Sequence, residues 1–584
     1  MSGGDAPLTA TVVPDVTGLD KSFDYLVPTQ LRPTVRVGAL VRVPLHGRRV
    51  GGWVVRVDPP RGDVGVERLV PLAAWTGEGP SAELVELAEW ATPRWGSPRL
   101  RPFLVTASPP TRVRVIGQGR PAAVRERVDA SLGVRRLLAE QPLGGVVRVS
   151  PTDDVMPVLS AALERGRVLV VHPAHDQVQL LAARLRAAGS SVAVMPGDWA
   201  SAAAGVDVVI GGRAAAWAPA PELATVVVLD EHDESLQEER SPTWHARDVL
   251  IERACRAGVP CLLVSPCPSV TALAWSGTRW LRPSRTDERE GWPIVEVVDR
   301  SDTEPWKRSL LTSPLITALR DTSKRVVCVH NTPGRARLLA CRSCRALVAC
   351  ERCDASVTQD DDGRLHCRRC GTERPPVCQV CGSTALANVR PGVTRLRDEL
   401  EAAAGRPVLA VTGEVAPDAV LDADVFVGTE AVLHRVREAD VVAFLDLDSE
   451  LLAPRYRAGE QAFALLVRAA RLLGPRRDGG RLLLQTFLPD HEVVQAALLA
   501  DPGRVAKLEA GRRRALLLPP FAALGHVSGT GAAVFVADTG LAAAPDGDGF
   551  LLRAATWDDL GPVLAATPRP PGSRLRVEVD PARR

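Results

Sequence analysis

CRSCRALVACERCDASVTQDDDGRLHCRRCGTERPPVCQVC, residues 341–381, carries eight cysteines in four C-x-x-C pairs and interrupts a long run of α/β sequence. The spacing is C-x2-C-x5-C-x2-C-x13-C-x2-C-x7-C-x2-C, through Cys341, Cys344, Cys350, Cys353, Cys367, Cys370, Cys378 and Cys381. A C-x-x-C knuckle turns two sulfurs to one side of a tight turn. Two knuckles complete the tetrahedral S4 shell that Zn²⁺ accepts at about 2.3 Å per bond. The stretch is therefore expected to hold two zinc ions rather than eight unligated thiols. Ser343, Gly371 and Gly382 near the knuckles fit closed sites with no position for water, which points to structural metal. Redox chemistry needs one such pair, and iron–sulfur clusters more often use other spacings. Spacing alone leaves three ways to pair the four knuckles. The remaining Cys255, Cys261, Cys267 and Cys328 sit in or beside apolar segments and are expected as small buried hydrophobes.

Outward from the cysteines, apolar runs alternate with Ala, Leu and Arg-rich helical stretches. On the N-terminal side these are VLVVHP (168–173), VDVVIGG (206–212), TVVVLDEH (225–232) and CLLVSP (261–266). On the C-terminal side they are PVLAVTG (407–413), ADVFVGTE (423–430), ADVVAFLDLD (439–448) and GRLLLQTF (480–487). Strands alternating with helices indicate doubly wound sheets, so two α/β lobes flank the metal region. Residues 8–72 read instead as short β segments punctuated by Pro and Gly, and 81–91 as an amphipathic helix opened by Ser81. The predicted domains are a β-rich module at 1–108, an Arg, Pro and Gly-rich linker at 109–143, a first lobe at 144–300 and a second at 301–505 with the insertion 341–381. A small C-terminal α/β domain at 506–584 completes the chain.

Composition agrees with several compact cores: 584 residues, 46% hydrophobic, exceed what one core serves. No window of about 18 apolar residues occurs, and MSGGDAPLTATVV lacks the pattern of a secretory leader, so a cytoplasmic protein without membrane contact is expected. Cysteines in such a protein are thiols or metal ligands rather than disulfides. Of 72 cationic residues only Lys21, Lys307, Lys324 and Lys507 are lysine, which reads as GC-rich coding. The net charge of +3 gives no independent case for nucleic acid.

The motifs say more. SFDYLVP (22–28) and VGALVRVPLHGRRVGGWVV (37–55) lie in the first module, VVIGGRAAAWAP (208–219) and DEHDESLQEERSPTWHARDV (230–249) in the first lobe. YRAGEQAFALL (456–466) and QTFLPDH (485–491) lie in the second. Their sequence and order resemble the primosomal protein N′ family, that of the replication restart protein PriA. The resemblance implies RecA-like helicase lobes, binding of branched or forked DNA, and a first module that holds the 3′ end of a strand through Phe23, Asp24, Tyr25 and Gly38. A lysine completing that pocket in the family falls on Val70 here, with Arg68 the nearest substitute. It implies as partners the other primosome proteins, the replicative helicase loading machinery and single-stranded DNA-binding protein. It also favours a nested metal pairing, Cys341, Cys344, Cys378 and Cys381 around one ion and Cys350, Cys353, Cys367 and Cys370 around the other.

The chain departs from the family where phosphate chemistry sits. A P-loop needs glycines, a lysine and a Ser or Thr. Its counterpart is GGVVRVSPTDDVMPVL (144–159), with Pro151, Asp153 and Asp154 in the turn, and no Gly-Lys dipeptide occurs anywhere. Aligning His232 puts Leu229 on the metal-binding Asp and Asp230 on the catalytic Glu. SPCPS (265–269), GTEAVLHR (428–435) and VRAARLLG (467–474) are altered too, although Arg471 is kept. Only about thirty-five residues separate module and lobe, too few for the family's winged helix. These departures predict a non-enzyme: no catalytic residues, no ATP binding, a scaffold for primosome assembly. The rival readings are an active ATP-dependent 3′–5′ DNA helicase and an interaction protein that binds no DNA.

Overall fold

The computed structural model describes residues 7–59, 68–121, 126–140, 143–301, 310–330, 339–359, 363–367, 369–388, 393–411 and 422–582. The last two residues of PVLAVTG lie outside them.

The first module is an antiparallel sheet in the order Phe23–Leu26, Thr9–Pro14, Arg48–Val57, Leu40–Leu45, Ala74–Gly77. Its alternation is that of a half-buried sheet: Val41 and Val43 face the core while Arg42 is exposed. Ser81 then caps the helix Ala82–Arg94, its hydroxyl accepting from the Leu84 amide at 3.4 Å. Leu84, Val85, Leu87, Ala88 and Ala91 make that helix's buried stripe.

The first lobe is a seven-stranded parallel sheet ordered Trp280–Leu281, Gly144–Arg148, Cys261–Ser265, Leu223–Leu229, Arg167–Val171, Val208–Gly211, Val192–Val194. Both faces are covered, which is why its strands read as unbroken apolar runs. The second lobe has six parallel strands ordered Ile294–Asp299, Arg481–Thr486, Val441–Phe444, Val326–Val329, Val425–Gly428, Leu409–Val411. The small C-terminal sheet is antiparallel, ordered Ala542–Asp546, Gly549–Ala554, Ala523–Thr530, Arg574–Val579, with the helix Trp557–Ala566 packed on it.

Three details differ from the sequence reading. Ile294–Asp299 sits in the second sheet beside Arg481–Thr486 rather than in the first lobe. Its half-buried side chains mark an edge strand, and composition does not say which of two sheets receives an edge. Within the stretch read as linker, Leu132–Glu140 is a helix that buries Val134, Leu137 and Leu138 against the first lobe; its two arginines hid the apolar spacing. Cys255 is exposed, on the solvent side of the helix Ala246–Ala257, while Cys261 and Cys328 are buried as expected. Among the described residues no helix is long and apolar enough to cross a membrane.

Aromatic rings tie module to lobe. Trp90, Trp95, Phe103, Trp217 and Trp244 follow one another with centroid distances of 5.4, 6.5, 5.4 and 5.9 Å. Such pairs add to the area they bury when tilted or edge-on, as these are. The sequence reading missed this ladder, because its members are far apart in the chain and follow no period.

Candidate functional site

The four residues assigned to the strand-end pocket fall on an edge strand and a turn. Phe23–Leu26 lies at the end of the strand order beside Thr9–Pro14, with a further bridge from Leu26 to Pro71, and side chains alternate along it. Tyr25 is 4% exposed, in the module's core, and its hydroxyl donates to the Pro44 carbonyl at 3.1 Å. Burial pushes its phenol above the ordinary value. Phe23 is half-buried on the same face, and Asp24 points the other way into solvent, accepting from the Thr11 hydroxyl at 2.6 Å. The structure thus presents Asp24 for contact and holds Tyr25 inside. Gly38 adopts φ +88°, and a Cβ there would lie 1.6 Å from the Pro80 carbonyl oxygen. Two backbones meet at that point, which only glycine permits. Val70, standing where the family has a lysine, is exposed beside the strand; its carbonyl accepts from the Leu26 amide at 3.0 Å.

The eight cysteines form two groups, Cys341, Cys344, Cys378, Cys381 and Cys350, Cys353, Cys367, Cys370, each with its four sulfurs within 4.8 Å of one another. The pairing is the nested one. Leu339–Cys341 and Leu386–Asn388 are antiparallel partners, which brings the first knuckle to the last. Every knuckle is built alike: the residue after its second cysteine (Arg345, Asp354, Gly371, Gly382) has positive φ and donates its amide to the carbonyl of the first cysteine at 2.9 Å. Sγ–Sγ separations of 3.4 to 3.5 Å across each group exclude a disulfide at about 2.05 Å and lie near the edge, roughly 3.8 Å, of a tetrahedral S4 shell. The Ser343 and Arg352 amides donate to Cys341 and Cys350 sulfurs at 3.4 Å, as thiolates require. The residues fit a metal ion in each group.

Between the lobes lies a cleft of about 1000 Å³. The helix Ala458–Leu473 lines it with Gln461 and Arg468, two helical turns apart, and Arg471 follows one turn further on. Arg471 grips Asp230 with two bonds of 2.5 and 2.6 Å and donates to the Pro151 carbonyl at 3.1 Å, while Arg468 meets Asp233 at 2.5 Å. Burial alone would raise the Asp230 carboxyl, but the Arg471 guanidinium holds it well below the usual range. Burial lowers the imidazoles of His172 and His232 beside it below their ordinary value.

The turn in the P-loop's place satisfies itself. Asp153 accepts from the Ser150 amide at 2.6 Å, and Asp154 accepts from the Met156 amide at 3.0 Å and from Arg184 at 2.6 and 2.9 Å. Phosphates bind where helix-start amides are free. Here the Asp154 carboxylate takes the Met156 amide at the start of the helix Met156–Leu163, and Asp153 takes the Ser150 amide ahead of it.

The model of PriA's 3′ DNA-binding domain matches residues 11–101. The chain is 28% identical to the replication restart protein PriA of Bacillus subtilis over 347 residues, 54% of this chain and 42% of that protein. The same measure against the Thermotoga maritima protein is 28% over 343 residues, 56% and 46%. The matches thus span under half the length of those two relatives. Against the probable replication restart protein PriA of Mycobacterium bovis it is 30% over 616 residues, 96% of this chain and 90% of that protein. These relatives overturn the expectation of a non-enzyme: the family they represent is a helicase family, and no observation of this chain shows it inactive. With the strand-end module in place and a relative matched along nearly its whole length, the chain belongs to the family of the replication restart protein PriA.

Proposed function

We propose that the protein acts in replication restart by binding branched DNA that carries a free 3′ end, and that its metal region and lobes present a docking surface for primosome proteins, the helicase-loading machinery and single-stranded DNA-binding protein. The observation that carries this reading is the match of the 3′ DNA-binding domain over 11–101, with Asp24 exposed on its edge strand. A carboxylate there accepts a hydrogen bond from a terminal 3′ hydroxyl, which a strand interior or a 3′ phosphate does not offer. Gly38 shapes the neighbouring turn. The two cysteine groups hold zinc, which cross-links the insertion without taking part in chemistry.

Fluorescence anisotropy with forked DNA tests the reading. A free 3′ hydroxyl at the junction should bind more tightly than the same fork ending in a 3′ phosphate, and Asp24→Ala should erase the difference. Equal affinity of the unaltered protein for both forks defeats it. Membership of a helicase family makes DNA-stimulated ATP turnover the activity to measure on the same protein and forks. For nucleotide to enter, its phosphates would have to displace Asp153 and Asp154 from the loop amides. Asp153→Gly with Asp154→Gly should therefore raise turnover, and phosphate release reads it directly.

A further inference from the structure

A second cavity, of about 530 Å³, opens beside the interlobe cleft. It lies between the helix Val270–Ser276, the strand Trp280–Leu281 and the helix Pro502–Ala515. Pro268, Pro502 and Ala506 line both cavities, so the two adjoin. The walls are apolar, with the rings of Trp280 and Phe521 among them, and Trp280 is 40% exposed. Every charged residue lining it is cationic: Arg148, Lys507 and Arg514. Arg148 is buried and matched by Glu288 at 2.7 Å. Lys507 and Arg514 are exposed and make no ion pair among the described residues, and neither does Arg282, whose guanidinium lies 5.2 Å from the Trp280 ring centre. Arg514 lies over the Phe521 ring at 4.3 Å and Arg148 over Trp280 at 5.8 Å, so both rings already hold flat cationic groups. The chain as a whole nearly balances 72 cationic with 69 acidic residues, so cations without ion pairs around an aromatic-walled cavity mark a place for an anion with a flat, apolar body.

We propose that this cavity takes an unstacked base of single-stranded DNA, whose flanking phosphates pass Arg282, Lys507 and Arg514. Aromatic rings hold bases by stacking whatever their identity, and cations track the backbone. An acidic peptide bearing an aromatic side chain offers the same charge signs. Continuity with the cleft between the lobes favours a strand, which needs a path on either side of the base. The inference rests on the reading of the chain as a DNA-binding protein, but it concerns the strand interior and not its end.

The test uses the full chain and labelled oligothymidylate blocked by a 3′ phosphate, followed by anisotropy across a salt series. Trp280→Ala should weaken binding roughly tenfold. Lys507→Glu with Arg514→Glu should weaken it by at least as much and flatten its salt dependence. Asp24→Ala should leave it unchanged, which separates this site from the strand-end pocket. All four altered residues are exposed, so the variants keep the fold. The proposal fails if the blocked strand does not bind, or if it binds both cavity variants like the unaltered protein. It fails as well if a peptide of alternating Asp and Phe binds with an affinity that Trp280→Ala removes while the strand's affinity stays. Loss of fork binding with retained blocked-strand binding would defeat the 3′-end reading and spare this one.

Discussion

Gly38 and Gly47 both hold positive φ, +88° and +75°, yet they stand in different surroundings. Nothing lies within 4 Å of a Cβ built on Gly47, whereas one on Gly38 would collide with the Pro80 carbonyl. Gly47→Ala should therefore cost about 1 kcal/mol, the strain of a left-handed backbone alone. Gly38→Ala has to displace the Gly79–Pro80 backbone and should cost roughly 3 kcal/mol. Urea denaturation of both variants checks the contrast. Asp448 supplies a pH dependence. It is buried, accepts from the Thr486 hydroxyl and the Phe487 amide, and is pushed up to about 7, first by burial and then by the charge of Asp446. The fold keeps a proton there that the unfolded chain releases near pH 4. Stability should fall as pH rises from about 4 to about 7 and level off above. Asp448→Asn should flatten that slope in urea denaturation at a series of pH values. At this scale the sequence was partly legible. The FDY motif located the strand, and alternation would have placed Asp24 opposite Tyr25. The Tyr25–Pro44 contact needed the neighbouring strand.

For the elements, the knuckles were the most legible part, because four C-x-x-C pairs in about forty residues leave little else for them to do. Their pairing was not legible from spacing, since any two knuckles can share an ion. The antiparallel contact of Leu339–Cys341 with Leu386–Asn388 decides it. Cys341→Ser should remove one of two zinc ions and spare the other, as measured by metal quantitation on the purified protein. Cys350→Ser should do the same for the second ion. The helix Ala458–Leu473 shows a different limit. Its sequence announced a helix and retained Arg471, but the bidentate grip on Asp230 depends on how the lobes meet. The aspartates of 144–159 were expected to repel phosphate; in the structure Asp153 and Asp154 accept from the Ser150 and Met156 amides, contacts that charge alone did not announce.

Across the whole molecule, the lobes and their parallel sheets followed from apolar runs in alternation with helical stretches. The joints between domains did not, because they are made by residues remote in sequence. Trp217 joins Phe103 on one side to Trp244 on the other and is fully buried. Trp217→Ala should destabilise by about 3–5 kcal/mol. It should also loosen the first module, seen as earlier proteolytic cleavage near residue 110. Asp580 makes a second joint, accepting from the Tyr456 hydroxyl at 2.8 Å and from Arg457 at 2.9 Å. Asp580→Ala leaves Arg457 buried without that partner and should cost about 3–5 kcal/mol in the same denaturation assay. The paired strands at the base of the metal region carry a last consequence. Because the chain leaves and returns through neighbouring antiparallel strands, the region is a tab on the second lobe whose removal would not reroute any strand of the parallel sheet. Such a tab can be gained, lost or exchanged between lineages in one genetic step, and a lobe without it would still have a complete sheet to fold around.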